Sequence, residues 1–171
     1  DDVREITKRI KSMGGKGKTV SDADVFAIAE SVMSSVPEAE KTIDLKEVNV
    51  STGNERTPMA SVRADVQDEE RVEADVGVGP VDAAMSAVSS LMGDQREVEI
   101  TDFHIDAISG GSDAVANVYV GVESDGVEAN ASASSEDITV ASVEATVDAV
   151  NHLVRKETRE EEPTDSTTRQ P

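Results

Sequence analysis

Ile43-Asp44-Leu45-Lys46-Glu47-Val48-Asn49-Val50 and Val98-Glu99-Ile100-Thr101-Asp102-Phe103-His104-Ile105 are the two stretches that decide how this chain folds. In each, apolar residues alternate with polar ones, miss one beat and resume: Ile43, Leu45, then Val48, Val50; Val98, Ile100, then Phe103, Ile105. Alternation marks a strand with one buried face, and a phase break shared by two distant segments points to one unit repeated. Working outward, Ala60, Val62, Ala64 and Val66 answer to Ala116, Val118, Val120 and Val122. Val72-Glu73-Ala74-Asp75 answers to Val127-Glu128-Ala129-Asn130, so the register slips by one in one connection and recovers in the next. In the helices that follow, Asp82, Met85 and Val88 match Asp137, Val140 and Val143. The pattern predicts an α+β fold: two tandem βββα units with pseudo-two-fold symmetry over 43–154, preceded by a small helical linker subdomain over 1–37.

Strands are expected at 43–50, 58–67 and 71–76 with a helix from Pro80 to Met92, then at 97–108, 114–123 and 126–133 with a helix from Glu136 to Lys156. Short connections make neighbouring strands antiparallel, and proline suits a first helical position, where its missing N–H is not needed. Ala83, Ala84 and Ala87 in one helix, and Ala141, Ala145 and Ala149 in the other, leave a side against which another element can lie closely. In the linker, Val3, Ile6, Ile10 and Met13 recur at helical spacing up to Gly14-Gly15. Ser21, followed by Asp22 and Asp24, opens a second helix with Val25, Ile28, Ala29 and Val32 on one side and Pro37 at its end. Residues 155–171 offer little to bury and read as a disordered acidic tail.

Acidic residues outnumber basic ones by 36 to 16, a formal net charge of -20 that repels a phosphate backbone or an anionic membrane, so neither is expected as a partner. Such acidity, with scarce lysine, suits a cytosol of high salt, where screening removes self-repulsion, and a halophilic source is expected. Cysteine is absent, which removes disulfides, thiolate nucleophiles and sulfur ligands. No apolar run approaches the ~18 residues of a membrane span, and a cytoplasmic location is expected. The chain opens on Asp1 and not on methionine, which suggests a piece of a longer polypeptide.

Candidate chemistry is sparse. Gly17-Lys18-Thr19 has the end of a phosphate-binding loop, but Ser12 stands where a glycine is needed and no strand precedes it, so it reads as a flexible connector. The two histidines, His104 and His152, have no thiol or orienting triad beside them, so no catalytic residue and no metal ligand is assigned. Two glycine turns remain. Gly77-Val78-Gly79-Pro80-Val81-Asp82-Ala83 places backbone amides at a helix start, where a carboxylate finds donors and a favourable dipole. Gly110-Gly111-Ser112-Asp113-Ala114 joins two strands and can bring its backbone equally close to a ligand. On spacing alone, glycines that merely permit tight turns explain both stretches as well.

These two turns, together with Asp137-Ile138, Ala141-Ser142 and Asn151 on the last helix, resemble the carboxy-terminal regulatory domain of 2-isopropylmalate synthase and its relative citramalate synthase. The likeness covers 43–154, and 1–37 is similar to the linker subdomain that precedes it. The resemblance implies a homodimer that binds an end-product amino acid, leucine or isoleucine, and feeds back on a catalytic barrel of the same polypeptide. That barrel would condense acetyl-CoA with a 2-oxo acid using a divalent metal. Neither the barrel nor its metal-binding histidines has a counterpart here, so the resemblance implies no cofactor for this chain and no activity on its own. It assigns the effector to Gly77, Val78, Gly79, Pro80, Val81, Asp82 and Ala83 and to Gly110, Gly111, Ser112, Asp113 and Ala114. The alternative it leaves open is a domain that only joins subunits.

Overall fold

Connections of two to eight residues between the strands leave no room for crossovers, and the computed structural model of the chain shows two separate antiparallel sheets. It describes residues 2–15, 19–35, 37, 40–93, 96–108 and 110–161. Two helices come first, α1 (Asp2–Gly15) and α2 (Asp22–Ser34). One unit follows as β1 (Ile43–Gly53), β2 (Arg56–Val66), β3 (Glu69–Val76) and α3 (Pro80–Leu91). The other is β4 (Glu99–Ala107), β5 (Ala116–Ser124), β6 (Val127–Ser135) and α4 (Ile138–Glu161). The expected α+β architecture of two βββα units behind a helical linker is what the chain forms. The phosphate-loop-like Gly17-Lys18 and the tail beyond 161 lie outside the described residues. α4 runs past the Lys156 expected as its end, so the first part of the predicted tail is helix.

The shared phase break is a β-bulge in each copy. Pairing of β1 with β2 shifts between Leu45 and Glu47, and pairing of β4 with β5 shifts between Ile100 and Asp102. One extra residue at the bulge lets apolar residues three apart share a face. Beyond the first strands the register expected from sequence needs correction. Gln67-Asp68 (φ 52° and 65°) and Asp125-Gly126 (φ 50° and 81°) are the two-residue turns of equivalent hairpins. Matching those turns makes Val120 the counterpart of Val62, and Ala141 that of Ala83. The second copy therefore gains three residues between its first two strands and keeps that offset through its helix. Asp137 then corresponds to Gly79 and not to Asp82. Glu73 pairs with Val62 on the helix side of its sheet, while Val72 and Val76 point away and are 58% and 53% exposed. In β6 the helix side carries Ala129, Ala131 and Ala133 instead.

The two helices of the repeat form a layer between the sheets. α3 packs its alanines on β2 and β3, α4 packs Ala141, Ala145, Ala149 and Leu153 on β5 and β6, and each reaches into the other's core. Val143, Val147 and Val150 of α4 join Ile43 and Val62, whereas Met85 of α3 joins Val118 and Val120. Alanine at the sheet-facing positions is what allows this approach, and all six alanines are fully buried. Because α4 has 24 residues and α3 only 12, α4 covers β1 but α3 does not cover β4. Ile100, Phe103 and Ile105, the counterparts of Leu45, Val48 and Val50, are left 37%, 37% and 40% exposed on the inner face.

The linker helices are tied to the second unit. Met13, Ile28 and Val32 cluster with Val115, and Ile108 packs against them. α2 opens with a capping box in which Asp24 N–H donates to Ser21 Oγ and Ser21 N–H donates to Asp24 Oδ2, the latter at 2.9 Å. Where the chain enters the repeat, the buried side chain of Asn151 on α4 holds the free edge of β1. Its Oδ1 accepts from Thr42 N–H (2.9 Å) and Ile43 N–H (2.8 Å), and its Nδ2 donates to Ile43 C=O (2.8 Å). The amide stands in for the neighbouring strand that this edge lacks.

Candidate functional site

The turn at 77–83 is built around a close backbone approach. Gly77 N–H donates to Pro58 C=O at 3.0 Å, and a Cβ at Gly77 would lie 2.4 Å from Ala83 N, so only glycine fits there. Val78 N–H donates to Asp82 Oδ2 (2.9 Å), which folds the turn back onto the helix it begins. Gly79 caps α3 with an extended backbone and no side chain to accept from the helix amides. Pro80 has no N–H and Ala83 N–H donates to Gly79 C=O. The amides of Val81 and Asp82 are thus the open donors at this end among the described residues. Val78 is 95% exposed and nothing lies within 4 Å of a Cβ placed at Gly79, so the opening faces outward.

The same position in the second copy is sealed. Asp137 Oδ1 accepts from Thr139 N–H (2.8 Å) and Val140 N–H (3.2 Å), filling the amides that α3 leaves bare. The two helix starts are equivalent in the fold and opposite in chemistry. One offers donors, and the other has consumed them.

Gly110, Gly111, Ser112 and Asp113 are exposed, and Gly111 holds a positive φ of 109° that favours glycine. Ala114 N–H closes the turn on Gly111 C=O, and Val115 anchors it in the cluster with α1 and α2. The first turn is anchored elsewhere, through Val81 and Ala83 in the two repeat cores. No hydrogen bond or ion pair joins the two turns among the described residues. The resemblance assigns both turns to the effector; in the structure each is an open backbone turn, and they are anchored in different packing clusters.

The two histidines lie far apart in the sequence and in different elements, His104 on β4 between Asp102 (3.9 Å) and Asp106 (4.0 Å) and His152 on α4. His104 stacks on Tyr119 across the outer face of its sheet, ring centroids 4.8 Å apart, and His152 Nδ1 meets Asn130 C=O at 2.9 Å. No group of three His, Asp or Glu side chains that could hold a metal ion occurs among the described residues. No helix there is long and apolar enough to cross a membrane.

A cleft that no sequence motif marks lies between the linker and the repeat. It is bounded by α1, α2, Lys41, β1 and α4, with a volume of about 740 Å3. Glu144 and Asp148, on successive turns of α4, face Arg9 and Lys41 across it. Burial pushes both carboxyls above the ordinary carboxylate range; Arg9 offsets part of this at Glu144, and Lys41 part at Asp148.

The model of a family described as the LeuA allosteric (dimerisation) domain matches residues 19–154. The chain is 47% identical over 156 residues to a probable 2-isopropylmalate synthase of Methanosarcina mazei, covering 91% of this chain and 30% of that protein. It is 42% identical over 156 residues to a 2-isopropylmalate synthase of Methanocaldococcus jannaschii, again 91% of this chain and 30% of that one. Over 160 residues it is 41% identical to a putative (R)-citramalate synthase of Methanothermobacter thermautotrophicus, 94% of this chain and 32% of that one. The chain thus spans about three tenths of the length of the curated relatives it matches. With the family model matching 136 of its 171 residues, including every strand of both βββα units, this chain belongs to the LeuA allosteric (dimerisation) domain family.

Proposed function

We propose that this chain is the feedback-control and dimerisation domain of a 2-isopropylmalate synthase, binding the end-product amino acid leucine at the head of α3. The observation that carries the reading is the contrast between the two helix starts: Gly79 leaves the Val81 and Asp82 amides open where Asp137 fills their counterparts. A carboxylate seated there accepts from both amides and gains from the helix dipole. The exposed Gly110–Ala114 turn belongs to the same effector surface in this reading. The acetyl-CoA and metal chemistry falls to a catalytic barrel outside this chain. Were the parent a citramalate synthase, isoleucine would take leucine's place at the same turn.

The partner in this reading is a second copy, and the uncovered face of β4 is where it docks. Ile100, Phe103 and Ile105 form an apolar row on a strand that α3 and α4 leave partly exposed among the described residues, the kind of surface that marks an interface.

Titration calorimetry in molar KCl tests the effector, with leucine and isoleucine added in turn to the wild-type chain and to Gly79→Val. Nothing stands within 4 Å of the added Cβ, so the variant keeps its fold while blocking the turn. Heat from leucine that disappears in the variant is expected. Equal heat in both proteins refutes the site, and no heat in either leaves only subunit joining. Light scattering on Phe103→Asp tests the interface, and a dimer that persists unchanged refutes it.

A further inference from the structure

The cleft between linker and repeat brings cationic, acidic and aliphatic side chains together. Arg4, Lys8, Arg9 and Lys41 line it, four of the chain's 16 basic side chains, together with the carboxylates of Asp2, Glu5 and Asp44; Glu5 pairs with Arg9 at 3.1 Å and with Lys8 at 3.8 Å. Facing them are Glu144 and Asp148, both carboxyls held above their ordinary range because burial outweighs the positive charge available to them. The Arg9–Glu144 pair that crosses the cleft is loose, at 3.4 Å. Between the charges run the apolar side chains of Val32, Leu45 and Val147, with the 71% exposed Met33 at the rim. The volume, about 740 Å3, falls within that of small-molecule sites.

Cations and carboxylates on the α1 side, the buried carboxyls of Glu144 and Asp148 on α4, and aliphatic surface between them match a molecule that carries an ammonium, a carboxylate and an apolar side chain. We propose that this cleft is a second ligand site, separate from the α3 turn, for a free α-amino acid with an aliphatic side chain. Its ammonium sits against Glu144 and Asp148, its carboxylate against Arg9 and Lys41, and its side chain on Val32, Leu45 and Val147. The ammonium supplies the positive charge that burial leaves wanting at the two carboxyls, and the carboxylate meets guanidinium and ammonium donors. Arg9 of α1 meets Glu144 of α4, so an occupant here bridges the linker helix to the repeat. Binding in this position changes how the linker is held, whereas the α3 turn lies wholly within the repeat.

The test is calorimetry of the whole 171-residue chain with L-leucine, L-isoleucine and L-valine, and with two analogues, 4-methylpentanoate lacking the ammonium and 3-methylbutylamine lacking the carboxylate. Wild type is expected to take two equivalents of an aliphatic amino acid. Asp148→Asn and Lys41→Gln, checked for unchanged melting cooperativity, each weaken one of the two at least tenfold, and Gly79→Val removes the other. Neither analogue fills the cleft. One equivalent in wild type, insensitive to Asp148→Asn and Lys41→Gln but lost in Gly79→Val, overturns the cleft site while leaving effector binding at α3 intact. One equivalent lost in the cleft variants and kept in Gly79→Val supports the cleft and overturns the α3 site. Silence with every amino acid overturns both.

Discussion

Replacing Asn151 is the most severe single change the fold predicts outside its apolar cores. The side chain is 1% exposed and makes three hydrogen bonds to the backbone of residues 42 and 43, at 2.9, 2.8 and 2.8 Å. Each such bond contributes a net ~0.5–1.5 kcal/mol, and a buried group stripped of its partner costs ~1–3 kcal/mol. Asn151→Ala removes all three bonds and leaves the buried N–H and C=O of Ile43 facing a small void, so a loss of ~3 kcal/mol is expected. For a chain of this size that lowers Tm by ~6–12 °C. Asn151→Asp separates hydrogen bonding from volume. An ionised aspartate keeps the acceptor but loses the donor to Ile43 C=O and sets two like partial charges together, so its carboxyl binds a proton more tightly folded than unfolded. Its deficit against wild type is therefore small at low pH and grows as pH rises through and above the ordinary aspartate range. Circular dichroism melts at pH 4 and pH 8 in constant molar KCl measure both effects. A Tm for Asn151→Ala within ~2 °C of wild type, or equal deficits for Asn151→Asp at the two pH values, refutes the role assigned to this amide.

Other expectations follow from single contacts. Gly77→Ala forces a Cβ to within 2.4 Å of Ala83 N and lowers Tm by more than Gly79→Ala, whose Cβ meets nothing within 4 Å; equal melts remove the close-approach argument. Glu144 binds its proton more tightly in the fold than in the unfolded chain, with Arg9 and Glu5 of α1 and Asp148 of α4 as its charged neighbours. Its ionisation therefore costs stability as pH rises past its ordinary value of 4.5. Glu144→Gln is expected to melt higher than wild type at pH 8 and level with it below that value; a lower melt at pH 8 shows that the Arg9 pair outweighs burial. Asp137→Ala uncaps α4 and lowers stability by ~1 kcal/mol, read by urea denaturation. With a net charge of -20, the chain should gain Tm between ~0.1 M and ~1 M KCl as the screening length contracts from ~10 to ~3 Å; a flat profile removes the expectation of a high-salt host.

Much of the architecture is written in apolar spacing. Leu45 to Val48 and Ile100 to Phe103 report the bulge in each copy because a bulge changes the interval between same-face residues and nothing else. The face of β3 is a different matter. It depends on Gln67 and Asp68 both adopting positive φ, which glutamine does not advertise and which here has no glycine to mark it, whereas Asp125-Gly126 is an open signal for the same turn. The likeness of Val72-Glu73-Ala74-Asp75 to Val127-Glu128-Ala129-Asn130 therefore suggested a register that the hairpin does not adopt. The outward position of His104 was readable, being one residue from Phe103 on a strand. The bareness of β4 was not, since it follows from the length of α3 in another part of the chain. The glycine turns stood out locally, but their separate anchoring is a matter of tertiary packing. The linker cleft had no signature at all: Arg9 and Glu144 lie 135 positions apart and belong to no motif.

The sharing of α4 between both cores governs how the molecule comes apart and together. Arrays of repeats commonly unravel piecemeal, each module against its neighbours. Here Val143, Val147 and Val150 are part of the first module's interior although they come after it in the chain. Loss of α4 opens both halves simultaneously, which makes thermal denaturation a single event with matching calorimetric and van't Hoff enthalpies. On the ribosome the leading half has no finished interior to collapse around, and must wait, incomplete, until the closing helix emerges.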